Sequence, residues 1–116
     1  MALIKHQSIS NLLANMAREI DAARLLCWKA AWMMDNKIPN GKEAAICKAY
    51  ASEVAVRTLI HAIQIMGGYG CISGNIVEIG FRNSKVFTIG EGTSQIQRLI
   101  ISRRILALSG SHADIT

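Results

Sequence analysis

Leu13, Met16, Ile20, Ala23, Cys27, Ala30 and Met34 recur at alternating intervals of three and four residues. This spacing lays an apolar seam along one face of a helix, and no Gly or Pro interrupts it before Pro39. The seam predicts a helix from about Lys5 to Asn36, roughly 48 Å long at ~1.5 Å per residue. A helix of that length needs neighbours along its whole extent, because packing of the apolar face supplies most of a helix's stability in water. The feature therefore points to a helical bundle.

"NKIPNGK" turns the chain, with Pro39 and Asn40-Gly41 as punctuation. A second helix is expected from about Lys42 to Met66, with Ala51, Ala55, Leu59, Ala62, Ile63 and Met66 as its apolar stripe. Glu53, Arg57, His61 and Gln64 follow another face, where Glu53 and Arg57 suit an i, i+4 ion pair. "GGYG", Gly67 to Gly70, ends that helix, since glycine adopts positive φ at little cost. Cys71 to Gly90 reads as irregular, with about one helical turn near Val77 to Ser84. Thr93 then offers an N-cap hydroxyl, and a further helix carries Ile96, Leu99, Ile100, Leu106 and Ala107 on one face. The tail "SGSHADIT" reads as frayed. Strand alternation is nowhere convincing and there is no internal repeat. The expectation is an all-α chain, an antiparallel four-helix-type bundle forming one domain over residues 1–116.

The chain is 51% hydrophobic and 18% charged, with mean hydropathy +0.26. That is more apolar surface than one small core readily absorbs, and it points to burial against partners. The formal charge is +5. A basic balance suits nucleic acid, anionic lipid or a phosphate-bearing cofactor. The cations are scattered, however, with Arg103-Arg104 the one tight pair, and no basic run with interleaved aromatics supports nucleic-acid binding. Three cysteines with no CxxC argue against a disulfide framework and against a zinc site, so they read as reduced thiols packed as small hydrophobes. No apolar run is long enough to span a bilayer, and the N-terminus lacks the pattern of a signal peptide. The expected location is intracellular, in cytoplasm or mitochondrial matrix.

Three features ask for more than packing. Glu91 stands between Gly90 and Gly92 just ahead of a helix start, where it is either a general base or an acid that complements the helix dipole. Arg103 follows Leu99 by four residues and Ile96 by seven, on the face read as apolar. A guanidinium there either meets a partner or phosphate or lets its stem snorkel to the surface. "QIMGGYG", Gln64 to Gly70, is either a plain helix C-cap or a place where backbone N–H groups meet a phosphate or cofactor edge.

In this order and spacing, "HQSISNLLANMAREIDAARLLCWKAAW", "KEAAICKAYASEVA", "QIMGGYG" and "FTIGEGTSQIQRLIISR" resemble the C-terminal domain of the acyl-CoA dehydrogenase family. The resemblance runs from about Leu3 to Leu106. It implies a flavoprotein with three domains, an N-terminal helical domain, a middle β domain and a C-terminal four-helix bundle, of which this chain matches only the last. It also implies FAD bound between the middle and C-terminal domains, with contacts from a neighbouring subunit of a tetramer.

By that resemblance Glu91 matches the base that removes the α-proton of an acyl-CoA thioester while a hydride leaves the β-carbon for the flavin. Gly92 matches a position lining the thioester, and Arg103 a substrate-pocket arginine near the CoA portion. Thr93 and Gln95 match FAD contacts at the helix start. Gln64, Ile65, Met66, Gly67 and Gly68 match the segment that holds the FAD of the adjacent subunit, and Gln7 a further contact across that interface. The pattern departs from the family at Ser73-Gly74-Asn75-Ile76, at Ile79 where an arginine is usual, and at Asn83 where an aspartate is usual. Gly90 stands where an aromatic often precedes the base, which enlarges the pocket. The resemblance thus implies an oxidoreductase that is incomplete as this chain alone and associates with copies of itself or with the missing dehydrogenase domains. The acyl length and the electron acceptor stay open. A non-catalytic helical oligomerisation module, or truncated relative, is the alternative reading.

Overall fold

The computed structural model describes residues 2–108, so the tail expected to fray, Ser109 to Thr116, lies outside the described residues. The long apolar seam forms helix α1, Gln7–Asp35. It starts later than predicted because Leu3–Lys5 makes a 3-10 turn and His6 is extended. Ala23 and Ala30 are buried at the centre of the seam, Leu13, Met16 and Cys27 are half-buried, and Ile20 and Met34 emerge at its margins. The helix closes on Lys37, whose φ is 57°. The N–H groups of Lys37 and Ile38 reach back to Met34 O at 3.0 Å and Met33 O at 2.8 Å. This is a Schellman closure with lysine in the left-handed position that usually takes glycine.

Helix α2, Gly41–Met66, runs back along α1. Asn40 ties the turn down by donating to Ala30 O at 2.8 Å. Ala45, Ala49, Ser52 and Val54 are its buried residues. Small side chains let the helix backbones approach closely, and no large side chain is fully buried among the described residues. Gly67 ends α2 with φ 60° and ψ −139°, a region open to glycine but not to side chains. A 3-10 segment, Gly67–Cys71, follows. Gly70 must be glycine there, since an added Cβ would sit 2.9 Å from Ile63 O.

Helix α3, Ile76–Phe87, is a full 12-residue helix rather than the single turn expected near Val77 to Ser84. Its start is set locally. Asn75 Oδ1 accepts from Val77 N–H at 3.0 Å, and Glu78 accepts from Gly74 N–H at 3.4 Å. Glu78 also pairs with Arg82 one turn on. The Arg82 hydrogen bond holds the Glu78 carboxyl below the usual carboxylate range. The sequence reading cut this helix short: Val77, Gly80, Phe81 and Ser84 turn inward at helical spacing, while Ile76 and Ile79 are exposed.

Helix α4, Ser94–Leu108, begins where predicted: Thr93 Oγ1 accepts from Ile96 N–H at 3.2 Å. Its buried face differs from the expected one. Ser94 and Gln97 are buried, whereas Ile96, Leu99 and Leu106 are exposed. Polar anchors decide the rotation: Arg98 meets Glu53 at 2.8 Å, and Arg104 packs against Gly41. The Glu53–Arg57 pair expected along α2 gives way to bonds between helices, since Arg57 turns to Glu19 of α1 at 2.9 Å.

The four helices make the expected all-α arrangement, with α2 at its centre. Among the described residues the backbones of α1, α3 and α4 each come close to that of α2 and not to one another. The molecule is elongated, 61 × 28 × 24 Å. Leu25, Trp28 and Trp32, at helical spacing on α1, are each about 60% exposed (60%, 63% and 59%). Cys27 and Cys47, 20 residues apart in the chain, are free thiols and meet with their sulfur atoms 2.9 Å apart. No helix is long and apolar enough to cross a membrane among the described residues.

Candidate active site

The segment between α3 and α4 folds into a tight loop through its own backbone bonds. Gly90 N–H donates to Val86 O at 2.7 Å, and Ser94 N–H donates to Thr88 O at 3.2 Å, closing the loop at its base. Between these bonds the chain reverses through two consecutive positive φ angles, 55° at Glu91 and 95° at Gly92. Gly92 is required by space as well as by φ, because a Cβ would come within 2.6 Å of Gln97 Nε2. Glu91 has no such excuse. A non-glycine residue held left-handed marks a position that the surroundings over-determine.

Two side chains impose that conformation. Lys48, two turns into α2, donates to Phe87 O at 2.7 Å and also to Gly92 O. Gln97, 7% exposed, directs its Nε2 toward Glu91 O at 3.4 Å and Gly92 O at 3.5 Å. With the loop's carbonyls drawn inward, the Glu91 side chain is left exposed at the mouth of α4. The sequence reading missed both anchors. Lys48 carries no local signal, since its partners lie 39 and 44 residues away. Gln97 had one: a polar residue beside Ile96 in a helix otherwise expected to bury isoleucines.

Beside the loop lies a groove of about 830 Å³ between α2, the end of α3 and the start of α4. Thr93, Ser94 and Gln95 line it at the start of α4; of the cations on its wall, Arg57 is paired with Glu19 and Arg98 with Glu53, while Lys85 has no carboxylate partner among the described residues. Ser94 Oγ is buried and has no hydrogen-bond partner. A helix N-terminus, the Lys85 ammonium and an orphan hydroxyl make a lining suited to an anion.

The structure thus brings Glu91, Gly92, Thr93 and Gln95 together. Arg103 stands further along α4, exposed in the same outward row as Ile96 and Leu99, so it takes the surface alternative within this chain. Gln64 to Gly68 lie at the other end of α2, with Gln64 roughly 24 Å beyond Lys48 at ~1.5 Å per residue. Ile65 is half-buried there, while Gln64, Met66, Gly67 and Gly68 are exposed, and a Cβ on either glycine would meet nothing within 4 Å. Gln7 is exposed at the start of α1. The register of the α1–α2 pair, with Glu19 at Arg57 and Cys27 at Cys47, carries Gln7 to the same end as Gln64. The candidate residues therefore form two clusters at opposite ends of α2.

Known proteins resemble this chain in sequence and in fold. A family profile, acyl-CoA dehydrogenase C-terminal domain, matches residues 1–106. A probable acyl-CoA dehydrogenase of Bacillus subtilis is 51% identical over 100 residues, covering 86% of this chain and 26% of that protein. The mitochondrial short-chain specific acyl-CoA dehydrogenase of Rattus norvegicus is 45% identical over 104 residues, covering 90% of this chain and 25% of that protein. The butyryl-CoA dehydrogenase structure from Megasphaera elsdenii superposes with a TM-score of 0.87 at 41% identity, over 89% of this chain and 27% of that one. The chain spans about a quarter of the length of these relatives. It belongs to the acyl-CoA dehydrogenase family, of which it carries the C-terminal helical domain.

Proposed function

We propose that this chain supplies the catalytic base and one wall of the flavin site to an FAD-dependent acyl-CoA dehydrogenase acting on an acyl-CoA thioester. The observation that carries the reading is Glu91 itself, a carboxylate held outward in a left-handed conformation by Lys48 and Gln97. A base must be placed before it can act, and such anchoring keeps the carboxylate aimed without cost at the moment of proton transfer. Glu91 takes the α-proton of the thioester, which Gly92 lines from the same loop. Arg103, exposed on α4, offers charge to the CoA portion.

The residues present fit FAD. The anion-suited groove holds Thr93 and Gln95 with Arg57, Lys85 and Arg98, and the unpartnered Ser94 Oγ leaves a donor for a polar ligand group. At the far end of α2, Gly67 and Gly68 leave space for close approach of Gln64 to Gly68, with Gln7, to the FAD of a neighbouring subunit. When bound, FAD supplies the acceptor for the hydride that leaves the β-carbon. This chain's part is to bind, orient and take the proton.

The outward Leu25, Trp28 and Trp32 favour association with further dehydrogenase domains or with another copy. The chain by itself has no wall on the open side of the groove, so on its own it supports little turnover. Mixing it with an acyl-CoA, FAD and an electron acceptor tests this, and robust turnover would overturn it. In the assembled enzyme, Glu91→Gln is expected to abolish most turnover while FAD absorbance is retained. Unchanged turnover would remove the base assignment and favour a helical assembly module.

A further inference from the structure

Cys27 of α1 and Cys47 of α2 lie with their sulfur atoms 2.9 Å apart, both half-buried and both free thiols. They open onto a cleft of about 330 Å³ lined also by Lys48, Ala51, Ala55 and Phe87. The cleft gives a small reagent access to both sulfurs, while the small neighbours Ala51 and Ala55 leave the pair unobstructed. Cys71, exposed after the 3-10 segment, has no such partner sulfur.

We propose that Cys27 and Cys47 form a redox-modification site, a dithiol that a small organic disulfide converts to a covalent link between α1 and α2. The reaction runs by two exchanges. The Cys27 sulfur, as thiolate, attacks one sulfur of the small disulfide, and the first small thiol leaves. The Cys47 thiol then gives its proton to water, its sulfur attacks the Cys27 sulfur of the mixed disulfide, and the second small thiol leaves. Two cysteine thiols are oxidised and one small disulfide is reduced to two thiols.

Burial and the adjacent Cys27 sulfur push the Cys47 thiol up to about 12, so it stays protonated near neutral pH. Cys47 donates its S–H to the Cys27 sulfur, so the opening attack falls to Cys27 and Cys47 resolves the mixed disulfide. Closure matters beyond the pair because Lys48, the next residue, anchors Phe87 O and Gly92 O. A link at Cys47 fixes the stretch of α2 from which the Glu91 loop is held.

The test treats the folded 116-residue chain with oxidised glutathione and maps the products by peptide mass spectrometry. The expected product has lost two hydrogens and carries a Cys27–Cys47 link, exceeding links to Cys71 by at least about tenfold because the two sulfurs share a high effective concentration. That preference should vanish in urea. In a Cys71→Ser background the oxidised chain should melt several degrees higher, and dithiothreitol should reverse the shift. Cys27→Ser should abolish both the link and the shift. Persistent glutathione adducts without closure, untouched thiols, or pairing in the folded chain as indiscriminate as in urea would each overturn the proposal.

Discussion

Lys48 holds the carbonyl of Gly92, 44 residues further along the chain, with the same ammonium that donates to Phe87 O at 2.7 Å. One cation on α2 thus sets both the exit from α3 and the entry to α4, and Glu91 lies between those two points. Lys48→Met keeps the aliphatic stem and removes the donor. The variant should lose about 1.5–3 kcal/mol, the range for hydrogen bonds to charged groups, read as a lower denaturant midpoint. In the assembled enzyme the same change should lower kcat more than it raises KM, because the base loses its aim while the substrate's other contacts remain.

Gly92→Ala meets two obstacles, a φ of 95° and a clash at 2.6 Å with Gln97 Nε2. A loss of about 1–3 kcal/mol is expected from backbone strain at such a site, measured by chemical denaturation. Adding Gln97→Ala relieves the clash but not the strain, so the double variant should recover only part of the loss of Gly92→Ala. Full recovery would mean that the backbone angle costs nothing.

Lys37 occupies the left-handed position of the α1 closure without being glycine. Lys37→Gly should stabilise the chain by up to about 1 kcal/mol, the relief of a left-handed side chain less the greater freedom glycine has when unfolded. A β-branched residue such as valine should do the reverse. Thermal melts of the two variants should move in opposite directions.

Glu78 titrates below the usual carboxylate range because Arg82 donates to its ionised form. A carboxyl with a depressed folded-state pKa adds stability above its unfolded-state pKa, and that contribution disappears as pH falls through the folded-state value. Side-chain NMR should place Glu78 below the usual carboxylate range. Glu78→Gln should flatten the acid limb of the stability profile while leaving α3 capped by Asn75.

What could be read from the sequence was whatever local spacing records. The α1 seam, the end of α2 at Met66 and the Thr93 cap all depend on residues within a few positions of one another, and the structure has them. The Asn75 cap is just as local, and so is the inward row of Val77, Gly80, Phe81 and Ser84, yet α3 went unseen beyond one turn. The rotation of α4 was missed because Arg98–Glu53 and Gln97 with the loop carbonyls are contacts that no periodicity encodes. The site divides the same way. "GEGTSQ" announces Glu91, Gly92, Thr93 and Gln95 in one short stretch, whereas Lys48 and the Cys27–Cys47 pair become visible only when α2 is laid beside its neighbours.

Among the described residues, the backbones of three helices come close to that of α2 and not to one another. Mechanically that makes α2 an axle rather than one wall of a closed box. A push on the outward tryptophans of α1 reaches Glu91 through a slide, twist or bend of α2. Such a displacement moves the two ends of α2 together, Lys48 with its loop and Gln64 with its glycines. Substitutions in the alanine contacts of α1 and α2 should therefore be felt at both ends at once, well away from where they are made.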